Sequence, residues 1–107
     1  MARFMNMWRI NMAAPWPMDP KQSLELHEKM WAMIDGLMKK GEIEEFGVFP
    51  DGYTGYLISK GTAEDFLRGS ESFLPFVISE PHEIIPYEKT KEIVRARLNA
   101  LIASMKK

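Results

Sequence analysis

Residues 2–12 read Ala2-Arg3-Phe4-Met5-Asn6-Met7-Trp8-Arg9-Ile10-Asn11-Met12. As a strand, this stretch puts Phe4, Asn6, Trp8 and Ile10 on one side and Arg3, Met5, Met7 and Arg9 on the other. Neither side is uniformly polar, so a sheet that contains this strand has apolar groups to bury on both faces. The next residues, Ala13–Met18, hold Pro15 and Pro17 and read as a connection with Trp16 at its tip.

Asp19-Pro20-Lys21-Gln22 predicts a helix start: Asp19 as N-cap, Pro20 at the first helical position and Gln22 placed to complete a capping box. Gly41 marks the end, after Lys39 and Lys40, whose charge suits the negative end of the helix dipole. Between these limits Leu24, His27, Trp31, Ile34 and Met38 line one side. Leu26, Met30, Met33 and Leu37 line the adjoining side, so the apolar arc covers about half the circumference. Such a helix packs on a broad surface such as a sheet.

Residues 43–49 and 53–60 are short β-like runs joined by Pro50-Asp51-Gly52, a hairpin signal. Thr62 and Asp65 predict a second helix start, with Phe66 and Leu67 facing inward before Gly69 and Ser70 break the run. Phe76–Ile85 predicts the fourth strand, in which Pro81 calls for a bulge or a position beyond the neighbouring strand. From Glu88 onward Val94, Leu98, Leu101, Ile102 and Met105 form the narrower stripe of a third helix.

The order is βαββαβ, the split βαβ or ferredoxin-like plan. It predicts an α+β fold with a four-stranded antiparallel sheet, helices on one face and an appended C-terminal helix. Residues 1–87 form the ferredoxin-like domain and 88–107 the amphipathic helix attached to it. The helix-free face carries large side chains, each worth ~1.5–3 kcal/mol when fully buried. A two-fold dimer, sheet to sheet, buries them most simply; coverage by the third helix of the same chain is the competing arrangement.

A chain of 107 residues with 46% apolar and 27% charged residues suits one globular domain. A net charge of −1 lacks the basic excess of a nucleic-acid binder. The absence of cysteine excludes disulfides, Cys-ligated metal and thiol catalysis. The N-terminal apolar stretch is interrupted by Arg3, Asn6, Arg9 and Asn11 and makes neither a signal core nor a membrane span, so the expectation is a cytoplasmic protein without a membrane partner. Charge is unevenly placed: residues 1–87 hold 8 basic and 13 acidic groups, whereas 88–107 hold 6 and 2.

The chain resembles the dimeric α/β-barrel superfamily over roughly residues 3–86. The resemblance is carried by the capped helix with His27 and its closing Lys39-Lys40-Gly41, by the Asp51-Gly52 hairpin, and by Phe73-Leu74-Pro75-Phe76 leading to a last strand that ends in Ile85-Pro86. It is similar above all to muconolactone-isomerase-like and YciI-like small proteins. That resemblance implies a homodimeric small-molecule protein, an isomerase or cofactor-free oxygenase acting on an aromatic or lactone-like compound. A non-catalytic ligand-binding or assembly module is the alternative. In the YciI-like branch a helix histidine works with an aspartate before a proline; here Leu74 stands there and the carboxylate is missing. Haem-degrading members use a first-strand asparagine, matched by Asn6, but also a third-strand tryptophan and a second-helix histidine, which this chain lacks, so no cofactor is expected.

His27, inside the apolar arc of the long helix, is the candidate acid–base residue; a core histidine bonded to backbone or Ser23 is the plain alternative. Asn6 or Arg9 is placed to stabilise developing negative charge. Trp8, Trp31 and Tyr56 offer a flat apolar lining between sheet and helix. Glu80 and His82, two apart on the last strand, share a face; they read as a candidate acid–base pair or as a solvated strand end. No H-E-x-x-H or related spacing fixes a metal.

Overall fold

A computed structural model describes residues 2–106. The elements in chain order are β1 (Arg3–Ile10), α1 (Pro20–Lys39), β2 (Ile43–Val48), β3 (Thr54–Lys60), α2 (Ala63–Glu71), β4 (Val77–Glu83) and α3 (Tyr87–Met105). The four strands form one antiparallel sheet in the order β2-β3-β1-β4. The fold is therefore α+β with a β-α-β-β-α-β-α succession.

Local signals set most of the element ends. The Asp19 carboxylate accepts from the Gln22 backbone N–H at 3.2 Å, satisfying one of the free donors at the start of α1. At the other end Gly41, at φ 78°, donates to the Met38 carbonyl and Glu42 to that of Leu37. This is the Schellman closure that the left-handed conformation permits. Thr62 and Asp65 bond reciprocally, each side chain accepting from the other's backbone N–H at 3.1 Å. In the hairpin, Gly52 donates to the Phe49 carbonyl at φ 76°. The Asp51 carboxylate meanwhile accepts from the backbone of Tyr53 and Thr54 and from the Thr54 hydroxyl.

The Asp51 and Asp65 carboxylates titrate low. The Thr54 hydroxyl first, then the backbone N–H groups of Tyr53 and Thr54, hold Asp51 below the ordinary carboxylate range. The backbone and then the side chain of Thr62 do the same for Asp65. Both groups take up protons less readily folded than unfolded. They therefore add stability above about pH 4 and lose it as acidification carries the pH down through their folded-state values. Urea midpoints should fall below that pH, and the fall should be shallower in a doubly substituted Asp51→Asn, Asp65→Asn protein. Superimposable profiles for parent and variant would reject this assignment.

Two sequence expectations need correction. The second helix does not stop at Gly69 and Ser70 but runs to Glu71. One glycine costs a helix only ~1 kcal/mol, and the Ser70 hydroxyl caps the Leu67 carbonyl at 3.0 Å. Pro81 causes no bulge and lies within the β1–β4 register, opposite Asn6. The ladder bonds Asn11 N–H to Phe76 O and Ile84 N–H to Arg3 O, so by alternation Asn6 and Pro81 are a non-hydrogen-bonded pair. The proline nitrogen thus points away from β1, at the free edge of the sheet, where a missing donor costs nothing. An irregularity does occur between Ile43 and Glu45 in β2.

The two faces of the sheet differ in burial. One carries Asn6, Trp8, Gly55 and Ile43, all buried, and Phe66 of α2 meets Phe4 there with ring centroids 6.0 Å apart. The opposite, open face carries Met5, Met7, Tyr56, Ile58 and Ile78, all partly exposed. α3 covers neither: every residue in it is exposed except the half-buried Lys91. The chain is correspondingly long, 73 × 28 × 24 Å, with a radius of gyration of 19.4 Å. A compact chain of this length has about 13 Å.

Candidate functional site

The register divides the sequence-derived candidates among three places. Asn6 and Trp8 lie on the buried face. Arg9, Tyr56, Glu80 and His82 lie on the open face, since Met7 pairs with both Tyr56 and Glu80, and Met5 with His82. His27 and Trp31 lie on α1. Tyr56 and Arg9 therefore cannot line a space between sheet and helices together with Trp8, because the sheet itself separates them.

On the buried face the Trp8 indole lies across Gly55, stacked on Phe46 at 5.4 Å and 16°, with its Nε1–H donating to the Tyr56 carbonyl at 3.3 Å. Trp8 is thus a core group whose position depends on the neighbouring strand having no side chain at residue 55. Next to it, Asn6 is only 2% exposed and its Oδ1 has no hydrogen-bond partner. The Ser59 hydroxyl, opposite Phe4 and hence diagonal to Asn6, is likewise buried without a partner. Leaving such a group unsatisfied costs ~1–3 kcal/mol. Both groups lie on the buried face of the sheet.

His27 is partly buried, its Nδ1 2.7 Å from the Ser23 carbonyl. A carbonyl only accepts, so Nδ1 carries a hydrogen and donates it to Ser23. The ring lies between Trp16 and Trp31, each with its centroid 5.7 Å away, and Trp16 also touches Phe76 at 4.8 Å. Trp16 reaches this row because its Nε1–H donates to the Asn11 carbonyl at 2.7 Å.

The open face is apolar at its centre and charged around its rim. A shallow hollow of about 380 Å³ is lined by Met7, Arg9, Thr54, Ile78 and Glu80, among others. His82 Nε2 stands 3.5 Å from a Glu80 carboxylate oxygen, both side chains well exposed. The sequence does not announce a cluster at the opposite rim: Glu44 binds Arg3 at 2.8 Å and Lys60 at 3.0 Å. Lys60 first, then Arg3, holds the Glu44 carboxyl below its ordinary range. The irregularity in β2 lets Glu44 reach this side although it is adjacent to Glu45. Burial and then the Glu45 carboxylate push the Tyr56 phenol up. The one sequence signal is Ile43-Glu44-Glu45-Phe46, where two polar residues in succession break the two-residue period.

Among the described residues no three His, Asp or Glu side chains converge as metal ligands, and no helix is long and apolar enough to cross a membrane. No protein-family model matches the chain, and no curated protein matches it.

Proposed function

We propose that this chain is a homodimeric small-molecule-binding protein of the ferredoxin-like plan. Its subunits pair through the open sheet faces, and each holds a ligand between its sheet and helices. The observation that carries the binding half is the unpartnered carboxamide oxygen of Asn6, buried beside Trp8 and the Ser59 hydroxyl. A carbonyl oxygen accepts, so the guest needs a hydroxyl or N–H donor; the neighbouring Phe4 and Trp8 favour a flat, apolar body around it. A small hydroxylated aromatic compound meets both demands better than a simple lactone, which has no donor. The dimer half is supported by the open face itself, whose apolar centre and charged rim are the anatomy of a protein interface.

Native mass spectrometry of freshly purified full-length protein tests both halves. The expected species is a dimer carrying a small adduct, and the adduct disappears in Asn6→Leu while the dimer persists. Removing an unsatisfied buried oxygen should also make ligand-free Asn6→Leu more stable than the ligand-free parent by ~1–3 kcal/mol in urea. A monomer would reject the pairing of sheets. A dimer with no adduct in either protein would reject the ligand and favour a plain assembly module.

A further inference from the structure

Two helix faces remain incompletely covered within the chain. α1 turns Met30 into the core but leaves Leu24, Trp31 and Met38 about half exposed, at 54%, 50% and 42%. With His27 and Ile34 these residues form a seam at spacings of 3 and 4, and Glu28 and Asp35 stand on its rim. α3 has a matching seam in Val94, Leu98, Leu101 and Met105, at spacings of 4, 3 and 4, flanked by Arg95 and Arg97. Leu98, Leu101 and Met105 are 47%, 53% and 82% exposed. Among the described residues neither these two arginines nor Glu28 and Asp35 have an ion-pair partner.

We infer that α3 is an exchanged arm: in the dimer it lies along the Leu24–Trp31–Met38 seam of the other copy's α1. The occupant is a second copy for three reasons. The sheet ladder continues to Ile84, whose N–H donates to the Arg3 carbonyl, so only Ile85 and Pro86 separate the sheet from α3. From that short connection the helix, about 28 Å long, runs outward and makes the chain 73 Å long. Charge also decides the pairing. Two α3 helices together would oppose like charge, whereas a segment with 6 basic and 2 acidic groups fits a body with 8 and 13. The seams are of similar length, and the unpaired arginines of one meet the unpaired carboxylates of the other.

The inference rests on the dimer proposed above, and site-specific cross-linking separates the two. The natural chain has no cysteine, so Trp31→Cys and Leu98→Cys, at the middle of each seam and both exposed, can be introduced singly and together and treated with a short bismaleimide. An exchanged arm gives covalent dimers in the double variant and only traces in either single one. A chain-length product that carries a single linker with both thiols consumed, read by mass, means that α3 folds onto its own α1 and overturns the inference. Dimers from Leu98→Cys alone mean that α3 pairs with α3, which also overturns it. Sedimentation of the same proteins isolates the underlying reading: a sedimenting dimer without cross-links sinks the arm alone, and a monomer sinks both. A second pair, Ile34→Cys with Leu101→Cys, repeats the comparison should the first perturb folding by circular dichroism.

Discussion

Trp8→Ala should lower the unfolding free energy by ~3–5 kcal/mol, the range for truncating a large buried aromatic side chain. The indole is 8% exposed, and among the described residues only Met30 and Ile43 join it as apolar side chains buried to that degree. A core this thin has little with which to refill the space, which favours the upper end of the range. Truncation also removes the Phe46 stacking and leaves the Tyr56 carbonyl without the Nε1–H donor. Since a domain commonly has about 5–15 kcal/mol in all, the variant should be partly unfolded at physiological temperature. Urea titration followed by circular dichroism, at one fixed chain concentration, measures the change. Trp8→Phe should recover part of it by restoring an aromatic face without the hydrogen bond. A loss below about 1 kcal/mol for the alanine variant would mean that the Trp8 ring does not hold β1 and β3 together.

Gly55→Ala should be nearly as damaging, although it adds a single methyl group. That methyl would overlap the Trp8 ring and the Gly47 carbonyl oxygen at the same time. A ring at the end of a side chain can tilt; a backbone carbonyl in the middle of the β2–β3 ladder cannot move without losing strand pairing. Overpacking of this kind costs ~1–3 kcal/mol and more where the obstacle is backbone. The two substitutions should therefore combine unevenly. In a Trp8→Ala background the collision with the ring disappears and the one with the carbonyl stays, so Gly55→Ala should cost less there than in the parent, but not nothing. A double-mutant cycle in urea reads this coupling directly. Strict additivity would show that Trp8 and Gly55 do not share the contact.

Taken together, these two residues explain why the buried face is fixed in register. A bulky ring needs a gap opposite it, and a shift of β1 against β3 by one residue would bring a side chain under the ring and turn Asn6 to the open side. Tyr56 across Gly47 repeats the arrangement on the other face, its ring lying where a side chain at residue 47 would be. The sheet thus has an aromatic–glycine pair on each side of the β2–β3 hairpin.

Features that depend on neighbours within a few residues are legible in the chain before it folds. The bounds of α1 at Asp19 and Gly41, the Thr62–Asp65 box and the Gly52 turn all follow from a capping side chain or a left-handed φ, which act over one turn of chain. The alternation within β1 and β4 is equally legible, because side-chain direction in a strand repeats every two residues. The succession of strand and helix periods supplies the α+β order, and the apolar residues at both parities of β1 supply the apolar character of both sheet faces.

Pairing between distant segments, by contrast, exists only in the folded chain. Alternation says which residues of one strand share a side, but only the register says which side of β3 goes with which side of β1. That is why Tyr56 and Arg9 part from Trp8, and why the candidate residues do not form one pocket. The free edge beside Pro81 and the irregularity that brings Glu44 to Arg3 and Lys60 arise from the same cause: both are properties of two strands, not of one. The seat of α3 is a further step removed. Its apolar stripe is evident in the sequence, yet a stripe states only that something must cover it, and among the described residues of the chain nothing does.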